Sequence, residues 1–178
     1  MYRLNKLLKL DRKIYHTNDL GILWDITNKN TLYTTIKRYV QKGILIPIYK
    51  GLYTTVPLSN LHPFDLGRAI IHRYAYVSTE SVLSEHGVIS QATYAHTFVS
   101  DIAKKITVGT VSFLFRKVKS EFLNNPIGIT NQDGRFIASL ERATADMLYF
   151  DPTYHIDLRD RIDWKKVKQI QKEVGYLC

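Results

Sequence analysis

Two groups of side chains in this sequence are spaced to do chemistry. The first lies in NKNTLYTTIKRYVQKG, residues 28–43. At ~100° per residue, Thr31, Thr34, Lys37, Arg38 and Gln41 share one face of a helix, opposite Leu32, Ile36, Tyr39 and Val40. That outer face holds hydroxyls, an amide and two cations, and no acid. Such groups donate to phosphate oxygens and to base edges. An ordinary solvated face usually mixes both signs of charge.

The second group is acidic: Glu141, Asp146, Asp151 and Asp157. Carboxylates are the ligands Mg²⁺ prefers, and a metal-dependent nuclease would need such a set. Glu141 and Asp146 are five apart, however, and so leave a helix from different faces. Arg142, Arg159 and Arg161 are close enough in sequence to pair with these acids. The expectation is a salt-bridged surface, with no metal and no cofactor.

Other chemistries find no support in the spacing. His16, His62, His72, His86, His96 and His155 form no HxxxH pair, and the single cysteine, Cys178, is terminal, so neither a zinc site nor an intrachain disulfide is expected. There is no GxxxxGK[ST] and no GxGxxG to cradle a nucleotide phosphate. Ser90 and Ser139 lack the GxSxG setting of a nucleophile elbow. His86 falls near a helix end, where a protonated imidazole suits the dipole. The reading is therefore non-enzymatic.

Charge is distributed unevenly. Residues 1–60 hold 10 Lys/Arg against 3 Asp/Glu, a net +7, and residues 61–178 hold 15 against 13, a net +2. The excess coincides with the basic helix. Because duplex binding is driven largely by counterion release, this asymmetry points to nucleic acid. No stretch has the character of an interfacial or membrane-spanning helix, and no apolar leader is evident, so a cytoplasmic protein is expected.

The elements that must position these groups follow from pattern. Tyr2 to Arg12 reads as a short amphipathic helix with Leu4, Leu7 and Leu8 inward. Thr17 is expected to cap TNDLGILWDI, with Leu20, Leu23 and Trp24 packing inward. Asn28 or Asn30 caps the basic helix and Gly43 ends it. Ile44–Tyr49 and Leu52–Val56 then form a hairpin turning at Lys50-Gly51, with Tyr49, Lys50 and Tyr53 near its tip. A basic helix followed at once by a short hairpin is the pattern of a winged helix-turn-helix. The candidate DNA contacts are accordingly Thr31, Thr34, Lys37, Arg38, Gln41, Lys50 and Tyr53.

The organisation expected is α+β: a winged helix-turn-helix over 1–57, a linker helix over 58–75, and an α+β domain over 76–178. In the linker, Pro63 opens a helix with Leu66, Ala69, Ile70 and Tyr74 on one face. In the last domain, Ser78 or Thr79 caps a helix ended by Gly87, and strands run from Thr93 to Lys119. Hairpins are expected at Gly109-Thr110 and at Asn131–Gly134, giving an antiparallel sheet with flanking helices. Ser139 and Asp163 cap the last two helices. The lysines of the final one, Lys165, Lys166, Lys168 and Lys172, read as a solvated face.

Three stretches, TLYTTIKRYVQKGILIPIYKGLY (31–53), YVSTESVLSEHGVIS (76–90) and SLERATADMLY (139–149), resemble the AbiEi-type antitoxins of type IV toxin-antitoxin systems. The resemblance implies a two-domain repressor that binds double-stranded DNA at repeats in its own promoter. It also implies a nucleotidyltransferase-type toxin as functional partner, without a stable complex. The two later stretches look like fold-defining core. Two alternatives stay open: an antitoxin that masks a toxin by direct contact, and the metal-dependent nuclease above.

Overall fold

A computed structural model describes residues 2–10, 12–91 and 94–176. Asp11, Thr93 (the expected start of the strand region) and Cys178 lie outside these. The fold is mixed α and β, and the chain divides into two compact units, Met1–Ile70 and Ile71–Cys178.

The first unit runs α1 (Tyr2–Leu8), β1 (Ile14–His16), α2 (Thr17–Trp24), α3 (Lys29–Gln41), β2 (Ile46–Tyr49), β3 (Leu52–Thr54) and α4 (Pro63–Ile71). Strand β1 is only Ile-Tyr-His, too short to register as a period-2 pattern, yet it pairs antiparallel with β3 to give the order β1-β3-β2. Tyr15 stands opposite Tyr53 in that pairing. The core on that side is Leu7, Tyr15, Leu20, Trp24, Leu32, Ile36 and Leu45. Burying each such side chain is worth about 1.5–3 kcal/mol. Ile14, Leu52 and Thr54, on the other face of the sheet, are buried as well. A hydrogen bond of 2.8 Å between His16 Nε2 and the Ala69 carbonyl oxygen ties α4 to β1.

Several expectations shift. Helix α1 stops at Leu8, short of Arg12. The residue before α2 is His16, not Thr17: its N–H donates to Asp19 at 3.0 Å, while Thr17 is already helical and its hydroxyl donates to the Gly51 carbonyl at 3.2 Å. The linker helix is shorter than 58–75, and the division between units falls at its end. Tyr74 lies beyond it, because His72 takes a left-handed φ of 51° and the chain then enters a strand. Tyr74 instead meets Phe136 edge-on at 5.2 Å.

The end of α3 follows the expected glycine stop. Gly43 has φ 68°, its N–H donates to Val40, and the Ile44 N–H reaches back to Tyr39, which together form a Schellman motif. Nothing lies within 4 Å of where a Cβ would sit. The cost of Gly43→Ala is therefore purely conformational, and urea denaturation should show a loss of about 1–2 kcal/mol, the penalty of an L-residue in the left-handed region.

The second unit comprises β4 (Ala75–Val77), α5 (Glu80–Glu85), β5 (His96–Ser100), β6 (Lys104–Val108), β7 (Val111–Lys117), α6 (Ser120–Leu123), β8 (Ile129–Gln132), β9 (Arg135–Ala138), α7 (Leu140–Phe150) and α8 (Trp164–Val174). Both expected hairpins form, β6–β7 and β8–β9, the second turning tightly at Asp133-Gly134 with φ 51° and 83°. The sheet as a whole is not antiparallel. Its order is β6-β7-β5-β4-β9-β8, and the hairpins join through parallel pairs, β5 with β7 and β4 with β9. Both parallel pairs require connections long enough to hold other elements, which local turn signals do not reveal.

Helices α7 and α8 are capped as expected: Ser139 accepts from the Arg142 N–H, and Asp163 accepts from Lys165 and Lys166. Ahead of α5, the Ser78 hydroxyl goes to Asp146 at 2.7 Å and Thr79 makes no side-chain cap. Gly87, with φ 64°, follows the helix end.

Candidate nucleic-acid interface

Helix α3 is fixed from its inner side. Leu32 and Ile36 are buried, Tyr39 packs against Trp24 with ring centroids 4.9 Å apart, and the missing side chain of Gly21 lets α2 approach closely. A Cβ at Gly21 would come within 3.2 Å of Leu32 Cδ2. The turn between α2 and α3 is four residues, with Asp25 in the left-handed region at φ 56°. Asn28 then accepts from the Thr31 N–H at 3.1 Å and caps α3.

With the inner side spent on packing, Thr31, Thr34, Lys37, Arg38 and Gln41 are all exposed on the outer one. Among the described residues, Lys37 and Arg38 form no ion pair. Arg12, by contrast, is paired with Asp19. The Thr31 hydroxyl is engaged with the capping Asn28 at 3.3 Å, which leaves Thr34, Lys37, Arg38 and Gln41 as the uncommitted groups of the expected set.

The hairpin residues divide. Lys50 is exposed at the turn, and Gly51 takes φ 69° there. The Thr17 N–H donates to the Gly51 carbonyl at 2.8 Å, so the tip is held beside the start of α2 rather than projecting freely. Tyr53 follows the turn closely, as expected, but is only partly exposed. It sits within β3, half-buried against the core, because the alternation of β3 turns it to the same face as Tyr15.

The helical wheel also held three outer residues left out of the expected set: Asn30, Tyr33 and Lys42, all exposed. Tyr33 is 56 % exposed. Its signal was its position, ~100° from Leu32 and outside the apolar arc.

The acids of the second unit occupy four separate settings. Glu141 pairs with Lys166 at 3.1 Å. Asp151 accepts from the N–H and hydroxyl of Thr153. Asp157 accepts from the N–H and hydroxyl of Ser90 and faces His155 at 3.3 Å. That carboxylate stands between hydroxyl and imidazole, so this trio lacks the serine-to-histidine contact of a catalytic triad.

Asp146 corrects the expectation of a salt-bridged surface. It and Arg142 are both 0 % exposed. The Arg142 Nε donates to Asp146 Oδ1 at 2.8 Å, and the terminal nitrogens reach Tyr76 Oη and the carbonyls of Phe122, Asn125 and Ile127. Asp146 also accepts from Ser78 and from Tyr176 Oη at 2.6 Å. Burial opposes the guanidinium charge, but Asp146, Tyr76 and Tyr176 together outweigh it and hold Arg142 further above its ordinary pKa. Burial, reinforced by Asp146, pushes the Tyr176 hydroxyl well above the usual phenol range.

Burial raises the Glu141 carboxyl, but its backbone hydrogen bond and Lys166 more than offset this and leave it below its ordinary value. A depressed folded-state pKa contributes stability above the unfolded value and loses it as pH falls through the folded one. Thermal melts below about pH 4 should therefore fall less steeply for Glu141→Gln than for the native chain.

One strained position went unseen in the sequence. Thr79, between β4 and α5, has φ 52° and ψ −131°, a region hostile to a β-branched residue. Its hydroxyl is fully buried and has no hydrogen-bond partner among the described residues, out of reach of any substrate.

No protein-family model matches the chain, and the curated proteins contain no match to it.

Proposed function

We propose that this chain is a cytoplasmic, non-enzymatic DNA-binding repressor whose first unit is a winged helix-turn-helix. The observation that carries the reading is the outer face of α3: cationic, without an acid, and held outward by a packed inner face. Helix, strand, two helices joined by a four-residue turn, and a hairpin whose last strand pairs with the first are consistent with it. In this reading α3 enters the major groove and Lys50 approaches the backbone.

The likeness to AbiEi-type antitoxins supports a finer proposal, an autoregulator of a type IV toxin-antitoxin operon acting without a stable toxin complex. The nuclease alternative gains nothing from acids that share no common ligand set. A reporter driven by the DNA upstream of this gene should be repressed when the protein is supplied, and Arg38→Ala should relieve the repression. Unchanged reporter output with the native protein would remove the autoregulator reading. Co-purification with the neighbouring gene product would favour direct masking of a toxin instead.

A further inference from the structure

We infer that Asn30 and Tyr33, on the first two turns of α3, are the side chains that set sequence preference: Asn30 reads an adenine edge and Tyr33 a thymine methyl. The inference rests on the DNA-binding reading above.

Recognition helices meet base edges mainly with their N-terminal residues. In the first two turns of α3 the Thr31 and Thr35 hydroxyls are already committed, while Lys29, Asn30, Tyr33 and Thr34 are not, and of these only Asn30 carries a carboxamide. Asn28 caps the helix, the Thr31 hydroxyl bonds to Asn28, and the Thr35 hydroxyl donates to the Thr31 carbonyl at 2.8 Å. Asn30 is exposed, and among the described residues no hydrogen bond engages its amide. A free carboxamide presents one donor and one acceptor side by side, which matches N7 and N6 of adenine in the major groove.

Tyr33 is the largest apolar group on this helix left in solvent, at 56 % exposure. It is three residues from Asn30 and four from Lys37, so the three side chains form one neighbouring set on the helix surface. An exposed ring edge beside an adenine reader suits the C5-methyl group of thymine, the one apolar feature of the major groove. Arg38, Gln41 and Lys42, further along and toward the other flank, are left to position the helix on phosphates.

The test begins with selection of a duplex from a pool with a random core, using the full native chain. The selected duplex is then titrated against Asn30→Ala and Tyr33→Ala. With native protein, replacing one particular A·T pair by G·C should weaken binding about 5- to 150-fold. Asn30→Ala should shrink that ratio to below about 2-fold while leaving the salt dependence unchanged. Replacing a single thymine by uracil removes only the methyl group; it should weaken the native protein and leave Tyr33→Ala unaffected. Variants that bind DNA with native discrimination at every position overturn this inference alone. Failure of the native chain to select any duplex overturns the DNA-binding reading and this inference with it.

Discussion

Asp146→Ala should destabilise the second unit by about 3–5 kcal/mol, because it strands a fully buried guanidinium without its counter-charge. A loss of that size approaches the whole stability of an ordinary domain. The network shows why the effect is not local. Arg142 links α7 to Tyr76 on β4 and to the three carbonyls of Phe122, Asn125 and Ile127, while Asp146 collects the hydroxyls of Ser78 and Tyr176. The Tyr76 and Ser78 hydroxyls are fully buried and find hydrogen-bond partners in this network. Asp146→Asn keeps an acceptor for Arg142 and should cost less than the alanine. Arg142→Lys cannot reproduce the planar fork and should rank with Asp146→Ala. Chemical denaturation measures all three, and a cost below about 1 kcal/mol for Asp146→Ala would mean that water reaches the pair.

The second large effect concerns binding rather than stability. Lys37→Ala combined with Arg38→Ala should lower affinity for operator DNA by at least about 30-fold at low salt, two charged contacts at about 1–3 kcal/mol each. Both side chains are exposed and form no ion pair among the described residues, so the thermal melt should stay within about 0.5 kcal/mol of native. The combination separates interface from fold: a variant that loses binding because it unfolds would move both readouts together.

Legibility in the sequence followed the range of the interaction. The caps at Asn28, Ser139 and Asp163, the glycine stop at Gly43 and the hairpins at Gly109 and Gly134 rest on contacts a few residues apart, and these formed where local rules place them. Strand β1 did not, since three residues at Ile14–His16 become a strand only because β3 lies alongside them. The parallel pairs β5–β7 and β4–β9 were hidden for the same reason. Sequence alone puts Arg142 and Asp146 at the surface because charged residues are almost never fully buried unless paired, and their other partners come from β4, from the 122–127 segment and from Tyr176.

The candidate interface shows the same division. The face containing Thr34, Lys37, Arg38 and Gln41 was readable from helical periodicity alone. Counting from the turn puts Tyr53 near the hairpin tip, and the strand pairing, which counting does not show, leaves it half-buried against the core. Thr79 gave no warning at all: a threonine at φ 52° is specified by its surroundings and not by its own preference.

On the proposed function, α3 and the charge around it bind duplex DNA specifically. The most direct test is an anisotropy titration of the full chain against its own upstream duplex and a scrambled duplex of equal length, at two salt concentrations. Binding should be tighter to the upstream duplex and should weaken as salt rises, with a slope near 0.9 for each phosphate neutralised. Absence of binding to either duplex at low salt, or an affinity indifferent to salt, would contradict the proposed function.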